Sequence, residues 1–327
     1  MKALIQTDFG DAARVLELKE LPEEEPGPGE VIIGMEAAVV SVADLRTIAG
    51  HDGFRKHLPR TPGYEGVGRI LAIGPGVDNV RIGDRVFPPI GVGTYREQVR
   101  VPAVSVTHAP EGAAEQIALL SMNPLTAMML LQDFVTLSPG DWVIQNAANS
   151  VVGRLVIDLA KELELRTVNI VRSAPVADEV LAHGANVVLL DQERIEDRVE
   201  SAVKGAPIRL GLDTVGGSAT AGIARCLAED GVLVNYGALS GQPCHMPRDV
   251  MVTKNVRLVG FSAARQLTQR TSEDLKQLHE KLAPIIASGR LRARIAAVYP
   301  LANVVDAIRH VEQVGDKRFG KVILHIK

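Results

Sequence analysis

The chain has 327 residues, of which 46% are hydrophobic and 23% charged. At about 150 residues per domain, this length predicts two domains with cores large enough to fold without disulfide bonds. The 36 basic and 39 acidic residues nearly cancel, so no global charge attracts the chain to nucleic acid or to an anionic membrane. We therefore expect a small-molecule substrate, no nucleic-acid partner and no membrane partner.

The cellular compartment is predicted from the N-terminal sequence, the longest apolar stretch and the number of cysteines. Residues 117–135 form the longest apolar stretch, but polar residues and a proline interrupt it, which argues against a membrane span. MKALIQTDFG shows neither a signal nor a transit peptide. The 2 cysteines, Cys226 and Cys244, are too few for a disulfide framework or a four-cysteine zinc site. Together these features predict a cytoplasmic protein.

The first third of the chain consists of short β-prone runs separated by turns rich in glycine and proline. Because no regular helical pattern lies between the runs, this part predicts a compact β-rich domain. The predicted strands are 2–6, 30–40, 66–73, 85–87 and 95–101.

From about residue 111, helical and strand patterns alternate, which predicts an α/β fold with a doubly wound parallel sheet. After residue 258 the chain is predicted to return to the first domain. Helices are expected at 113–135, 153–162, 193–203, 218–227, 271–288 and 301–313. Strands are expected at 142–145, 167–171, 187–190, 210–214, 232–236, 295–299 and 321–326.

The loop after the strand 142–145 has the outline of a dinucleotide site. It precedes an apolar-periodic helix, whose N-terminal N–H groups would receive a pyrophosphate. The match to G-x-G-x-x-G is poor, because Ala148 and Ser150 stand at the first two glycine positions and only Gly153 fits. Both residues are small, and the Ser150 hydroxyl can donate to a phosphate oxygen. By itself the loop could equally be an ordinary tight turn.

A basic residue follows the next strand. Arg172 stands 19 positions after Gly153, where NAD enzymes usually carry an acid that accepts from the ribose 2′-hydroxyl. A guanidinium there favours the 2′-phosphate of NADP and leaves NAD without its anchor. The alternative is a solvated surface arginine.

Several motifs together resemble the medium-chain dehydrogenase/reductases over essentially the whole chain. They include PGYEGVG at 62–68, GDRV at 83–86 and GKV at 320–322. Four more resemble the mitochondrial-type trans-2-enoyl thioester reductases, namely NPLTA at 123–127, QNAANS at 145–150, RTVNIVR at 166–172 and VGG at 215–217. The resemblance implies a GroES-like β-rich catalytic domain of residues 1–118 and 264–327 and a Rossmann NADP-binding domain of residues 119–263.

The resemblance also implies NADPH as the cofactor and assigns its contacts. Asn123 is expected at the nicotinamide ribose, although it can also be a helix cap, and Tyr236 and Phe261 can also be core aromatics. The expected contacts are Asn123, Asn149, Ser150, Val151, Val152, Arg172, Ser173, Ala174, Tyr236, Gly237, Ala238, Leu239, Phe261, Ser262, Ala263 and Lys321.

No catalytic metal is expected. In the zinc alcohol dehydrogenases of this superfamily, a cysteine and a histidine stand at the positions of Ser41 and Tyr64. Zinc needs three or four nitrogen or sulfur ligands at close range. A zinc-polarised alcohol oxidation is therefore not expected.

One departure affects catalysis. The enoyl reductases carry a tyrosine in a G-x-Y-G segment, whereas this chain has Gly50-His51-Asp52-Gly53, so Asp52 stands in place of the tyrosine. An ionised aspartate only accepts hydrogen bonds and would repel an enolate, which leaves His51 as the nearest candidate acid. Asp52 and His51 are the candidate catalytic residues. The alternative is a hydrated loop pair, since Asp-Gly is an ordinary turn signal.

These observations predict a zinc-independent, NADPH-dependent reductase of an activated C=C bond, with a 2-enoyl thioester as acceptor and a homodimeric assembly. An NADPH:quinone or other α,β-unsaturated carbonyl oxidoreductase is an alternative, because such members manage without the tyrosine. An alternative of another class is a catalytically weak NADPH-binding sensor or interaction protein, which the loss of the tyrosine supports.

Overall fold

The computed structural model describes residues 1–51, 57–313 and 320–326. Its contacts divide the chain into two compact units. We call residues 1–122 with 267–327 the terminal unit and residues 123–266 the central unit. The terminal unit is thus built from both ends of the chain.

The terminal unit is the β-rich one. A seven-stranded sheet has the order β14-β15-β3-β4-β5-β7, with β6 paired to β3, and β1 and β2 form a separate antiparallel pair. Val31, Ile33 and Met35 alternate along β3 and enter a core with residues of β4 and β6, as expected for a strand that buries one face. The strands are β1 (Lys2–Gln6), β2 (Leu16–Glu20), β3 (Glu30–Val40), β4 (Gly66–Ile73), β5 (Arg85–Phe87), β6 (Gln98–Pro102), β7 (Thr107–His108), β14 (Ile295–Pro300) and β15 (Lys321–His325).

The same unit contains helices, two of which, α1 (Ala12–Val15) and α2 (Val42–Ala49), the sequence patterns did not predict. Helix α2 follows β3 directly and begins at a capping box, in which Ser41 and Asp44 each bond the other's backbone N–H. A Ser-x-x-Asp spacing was the available signal for this helix. The helices are α1 (Ala12–Val15), α2 (Val42–Ala49), α3 (Ala114–Leu119), α11 (Ser272–Ala287) and α12 (Val304–Glu312).

The central unit contains a six-stranded sheet in the order β10-β9-β8-β11-β12-β13. Every neighbouring pair in it is parallel, which confirms the predicted α/β class. The middle strands are buried on both faces, as their apolar runs indicate. The strands are β8 (Trp142–Asn146), β9 (Arg166–Val171), β10 (Val187–Leu190), β11 (Ile208–Asp213), β12 (Val232–Asn235) and β13 (Arg257–Gly260).

Helices connect these strands, and one of the predictions for them was wrong. The single helical stretch predicted at 113–135 is two helices, α3 and α4, because a turn at 120–122 separates them and Pro124 fits only the first turn of a new helix. The helices are α4 (Asn123–Gln132), α5 (Val151–Glu162), α6 (Ala174–Ala182), α7 (Ile195–Val203), α8 (Ser218–Cys226) and α9 (Arg248–Thr253), with α10 (Ala263–Gln269) at the division between the units.

The parallel topology determines where polar side chains gather. All strands of the central sheet run in one direction, so their carboxyl ends form one edge, where ligands of open α/β sheets bind. Throughout the described residues, we find no helix with the length and apolarity needed to span a membrane.

Candidate functional site

Most of the predicted cofactor residues lie just after the carboxyl ends of the parallel strands. Residues 149–152 follow β8, 172–174 follow β9, 236–239 follow β12 and 261–263 follow β13. The structure therefore brings four separate predicted segments to one edge of the central sheet. We call this edge the strand-end site.

The loop between β8 and α5 is tight and strained. Ala147 has a φ of 46°, in the left-handed region that costs a non-glycine residue about 1–3 kcal/mol. Ser150 is the N-cap of α5, and its hydroxyl accepts from the N–H of Gly153 at 3.0 Å. A Cβ at Gly153 would lie 2.8 Å from the Ala148 Cα, so only glycine lets α5 pack this closely against the loop that precedes it.

A buried carboxylate organises the neighbouring strand ends. Asp213, the last residue of β11, is fully buried. Its Oδ1 accepts from Asn146 Nδ2 at 2.6 Å and from the N–H groups of Val215 and Gly216 at 2.9 and 3.0 Å. Its Oδ2 accepts from the Thr220 hydroxyl at 2.7 Å and from an Asn235 amide at 3.1 Å. Five donors from four segments thus converge on one side chain.

The asparagines that bind Asp213 extend this network. Asn146 ends β8, and its Oδ1 accepts from the Thr214 N–H at 2.9 Å. Asn235 ends β12, and its Nδ2 also donates to the Gly237 carbonyl at 3.0 Å. The ends of β8, β11 and β12 are therefore locked to one another and to the loops that follow them.

Tyr236 and Gly237 follow this network. The Tyr236 hydroxyl is buried and has no hydrogen-bond partner among the described residues. Burial raises the pKa of this phenol above its ordinary value, and the Thr214 and Ser150 hydroxyls oppose the shift. A Cβ at Gly237 would lie 2.2 Å from the Thr214 Oγ1, so the backbone passes close to that residue. An orphaned buried hydroxyl beside a narrow backbone path fits a polar ligand.

The end of β9 carries a cationic group beside an uncapped helix. Arg172 is exposed, and the described part of the chain supplies no ion pair to it. Ser173 is the N-cap of α6 but makes no side-chain cap hydrogen bond, and Ala174 is the first helical residue. A free guanidinium next to open helix N–H groups is suited to an anion such as phosphate.

The remaining predicted cofactor residues differ in how far they are buried. Phe261 is 7% exposed and packs edge to face against Phe134 at 6.0 Å, as a core aromatic does. Asn123 is buried as the first residue of α4. Lys321 is half-buried and begins β15 in the terminal unit. Of the other residues, Ala238 and Leu239 are exposed, whereas Ser262 and Ala263 are half-buried.

The two candidate catalytic residues adjoin in sequence. His51 is exposed just after Gly50, which ends α2 in a left-handed conformation. It borders a cavity of about 370 Å³, together with Leu45, Ile48 and Glu312. Asp52 lies outside the described residues.

A polar cluster surrounds Ser41 and Tyr64, the two positions at which the resemblance implies zinc ligands in the zinc-dependent enzymes. Asp44 is buried and accepts from the Ser41 N–H and hydroxyl at 2.9 and 2.6 Å and from the Tyr64 N–H at 3.0 Å. The hydroxyls of Tyr64 and Thr47 lie 3.2 Å apart. Burial raises the pKa of the Asp44 carboxyl, and these hydrogen bonds oppose the shift.

These residue types do not suit zinc. The Ser41 hydroxyl is already bonded to Asp44, and neither Ser41 nor Tyr64 offers a thiolate or an imidazole. Across the ranges that the structure describes, no group of three or more His, Cys, Asp or Glu residues could hold a metal ion.

The sequence patterns did not single out Asp213, Asn146 or Asn235. Each is a polar residue at the carboxyl end of a buried strand, and that position was the available signal. The hydrogen bonds among these three side chains depend on which strands are neighbours in the sheet. The sequence patterns alone do not give that strand order.

The combination of a GroES-like β-rich unit with a parallel nucleotide-binding type of sheet defines a class of two-domain oxidoreductases, and comparisons with known proteins identify the family. Residues 27–111 match the alcohol dehydrogenase GroES-like domain, and residues 183–324 match a family described as zinc-binding dehydrogenase. The mitochondrial enoyl-[acyl-carrier-protein] reductase of Mus musculus is 34% identical over 315 residues, which cover 94% of this chain and 84% of the relative. The chain belongs to the medium-chain dehydrogenase/reductase family.

Solved structures of the family are similar over the full length. A putative NADPH:quinone reductase from Bacillus thuringiensis has a TM-score of 0.91 and 27% identity, covering 100% of this chain and 99% of that one. An Etr1p variant of Candida tropicalis, in complex with NADP and crotonyl-CoA, has a TM-score of 0.86 and 25% identity, covering 99% of both chains. The predicted fold, with a GroES-like and a Rossmann-type domain, is confirmed.

We expect Asp213→Ala to destabilise the protein by at least about 3 kcal/mol, because three buried and two half-buried donors would lose their acceptor at once. Urea unfolding measures the change. Asp178→Ala on the exposed face of α6 is the control and should change the free energy of unfolding by less than about 0.5 kcal/mol. Equal effects of the two substitutions would contradict the role given to Asp213.

Proposed function

We propose that the protein is a zinc-independent, NADPH-dependent reductase that adds hydride to the β-carbon of an activated C=C bond, with a 2-enoyl thioester as the acceptor. The observation that carries the proposal is the strand-end site with its unpaired Arg172, in a chain 34% identical to an enoyl-[acyl-carrier-protein] reductase over 315 residues. The Etr1p variant with NADP and crotonyl-CoA supports the same cofactor and acceptor class.

The strand-end site has the residues needed to bind the cofactor. The open α6 N-terminus and Arg172 would hold the 2′-phosphate, and the N-terminus of α5 behind Ser150 would receive the pyrophosphate. The orphaned hydroxyl of Tyr236 and the close backbone path at Gly237 fit the polar nicotinamide end. We assign Asn123, Asn149, Val151, Val152, Ser173, Ala174, Ala238, Leu239, Phe261, Ser262, Ala263 and Lys321 to the same cofactor.

When bound, NADPH supplies the hydride. This chain's residues hold the reactants and stabilise the negative charge that forms on the acceptor's carbonyl oxygen. His51, exposed after α2, is our candidate for the proton that completes the reduction, with Asp52 beside it in sequence. Neither residue needs a metal for this role.

Zinc independence follows from the chemistry of the polar cluster. Ser41 and Tyr64 occupy the positions of two zinc ligands, and hydrogen bonds to Asp44 and Thr47 already engage their hydroxyls. A metal placed there would lack the thiolate and imidazole ligands that it prefers. We therefore expect activity to withstand chelators.

A quinone is the second candidate acceptor. The similarity to an NADPH:quinone reductase over 99% of that chain favours it, as does Asp52 in place of the tyrosine. A sensor or interaction protein that binds NADPH without turnover is the candidate of another class.

The function is tested by NADPH consumption on trans-2-enoyl-CoA, on a soluble quinone and on a simple ketone, each with and without EDTA. We expect the enoyl thioester to be reduced at the same rate with and without chelator. Reduction of the quinone alone would transfer the proposal to the second candidate. NADPH binding without turnover on any acceptor would favour the sensor, and loss of activity with EDTA would contradict zinc independence.

The cofactor preference is tested at Arg172. We expect Arg172→Ala to weaken NADPH binding at least about 10-fold and to leave NADH binding unchanged, because only NADPH carries the 2′-phosphate. Fluorescence titration measures both dissociation constants. Arg225→Ala, an exposed arginine on α8, is the control and should alter neither. An unchanged NADPH affinity in Arg172→Ala would contradict this assignment.

We also propose a homodimer formed at the edge of the central sheet. Strand β13 is an edge strand, and Leu258 on it and Met251 and Val252 on the preceding α9 are 37%, 44% and 63% exposed. Exposed apolar residues at an open sheet edge favour pairing with a second copy. Light scattering of the wild type should give twice the mass of one chain. Leu258→Lys should lower the measured mass to that of a single chain. A monomeric wild type would contradict this proposal.

Two further assignments belong to the proposal. The catalytic domain comprises residues 1–118 and 264–327, and the NADP-binding domain comprises residues 119–263. The cytoplasm is our proposed compartment, although the curated relatives are named as mitochondrial. Fluorescence microscopy of a C-terminally tagged chain in its own cells would distinguish the two compartments.

A further inference from the structure

Helix α6, whose first turn carries residues that we assign to the 2′-phosphate, has a weak apolar anchor. Every residue of α6 is described, and Val180 alone among them is buried, whereas Leu181 is exposed. Helix α5 buries several residues, namely Gly153, Leu155, Val156, Ile157, Leu159 and Ala160. Apolar packing therefore fixes α5 in the central unit more firmly than α6, and the position of α6 depends more on its polar contacts.

Two pairs of ionisable side chains join α6 to α5. Arg154 on α5 donates from its Nη2 to the Glu179 Oε2 on α6 at 3.0 Å. Farther along both helices, the Nε2 of His183, the C-cap of α6, lies 2.9 Å from the Asp158 Oδ1 on α5. The second pair is a close contact without hydrogen-bond geometry, since no described residue is a hydrogen-bond partner of the His183 Nε2. We call these two pairs the α5–α6 ladder.

The order of the side chains along the ladder selects one register. The two pairs are separated by four residues on each helix, which is about one turn or about 5.4 Å. If α6 slipped by one turn in one direction, Glu179 would lie beside Asp158, and the two carboxylates would repel each other. A slip in the other direction would place His183 beside Arg154 and leave both without a carboxylate. The ladder therefore stabilises the observed register against the nearest alternatives.

Arg154 also contacts the loop before α5. Its Nε donates to the Asn149 carbonyl at 3.4 Å, and its backbone N–H donates to the Ser150 carbonyl at 3.0 Å. One side chain thus joins the loop at 149–152, where we propose the pyrophosphate, to the helix that begins at the proposed 2′-phosphate site. In NADPH both phosphate groups are attached to the same ribose, so their separation is limited. The spacing of the two helix N-termini therefore decides whether both groups can bind at once.

We propose that Arg154 and Glu179 are positioning residues that set the spacing between the pyrophosphate site and the 2′-phosphate site. This inference rests on the proposed function and requires neither side chain to touch the cofactor. Without the ladder, α6 adopts other positions in the free protein, and NADPH binding restores the spacing at a cost in free energy. A ligand that occupies only one of the two sites does not bear this cost.

The test compares Glu179→Ala with Asp178→Ala, because the two substitutions remove the same charge from neighbouring exposed positions of α6. Calorimetric titration of the whole chain measures the dissociation constants of NADPH, of NADH, which lacks the 2′-phosphate, and of adenosine 2′-monophosphate, which lacks the pyrophosphate. We expect Glu179→Ala to weaken NADPH binding about 3- to 5-fold, as the loss of one ion pair allows, and the binding of the other two ligands less than about 2-fold. Asp178→Ala should weaken none of them. Charge alone predicts the opposite for Glu179→Ala, because removing a carboxylate near phosphates strengthens their binding.

A double-variant cycle separates positioning from direct contact with the cofactor. We expect Arg154→Met to weaken NADPH binding at least as much as Glu179→Ala does. The variant with both substitutions should bind NADPH no more weakly than Arg154→Met alone, because the two residues act through one ion pair. If Arg154 instead bound a phosphate independently of Glu179, the two losses would add.

The outcomes separate this inference from the proposed function. If the wild type binds NADPH and reduces an acceptor, unchanged or tighter NADPH binding by Glu179→Ala would overturn the positioning role and leave the proposed function intact. An equal loss of affinity for all three ligands, which general damage to the fold would cause, or additive losses in the cycle would also overturn it. A wild type that binds no NADPH would contradict the proposed function and the positioning role together.

Discussion

The strand-end site depends on the buried carboxylate of Asp213. Parallel strands bring their carboxyl ends to one edge, but the loops that leave those ends have no ladder to fix them. Asp213 supplies this fixation by accepting five hydrogen bonds from Asn146, from Thr220, from Asn235 and from the turn at 215–216. Three of these five donors are buried and the other two are half-buried, so a rearrangement of one loop would leave a donor with little or no access to water unpaired, which favours a rigid arrangement.

Other buried polar groups, unlike Asp213, have no hydrogen-bond partner among the described residues. The Tyr236 hydroxyl in the central unit and two nitrogens of Arg60 in the terminal unit are buried without partners among the described residues. Groups of this kind cost stability in the free protein and are retained where a ligand can satisfy them. We interpret Asp213 as the rigid support of the strand-end site and propose Tyr236 as a group that a ligand completes.

The sequence predicted the architecture because it depends on periodic patterns. Alternation of helix and strand predicted the parallel sheet, and the residues after β8, β9 and β12 indicated the edge at which we propose that the cofactor binds. It missed α2, although the Ser41 and Asp44 spacing indicated a capping box, and it joined α3 to α4 across the turn before Pro124. It could not identify Asp213, because the role of this residue depends on which donors from distant segments reach its carboxylate. The roles of His51 and Asp52 stay predictions.

The central claim is that the protein delivers hydride to the β-carbon of an α,β-unsaturated carbonyl compound without a metal. The most direct measurement is NMR of the product formed from a trans-2-enoyl-CoA and NADPH that carries deuterium at the transferred position. The account predicts one deuterium at the β-carbon, none at the α-carbon and an intact thioester carbonyl. Deuterium at the carbonyl carbon, or a product without deuterium, would contradict it.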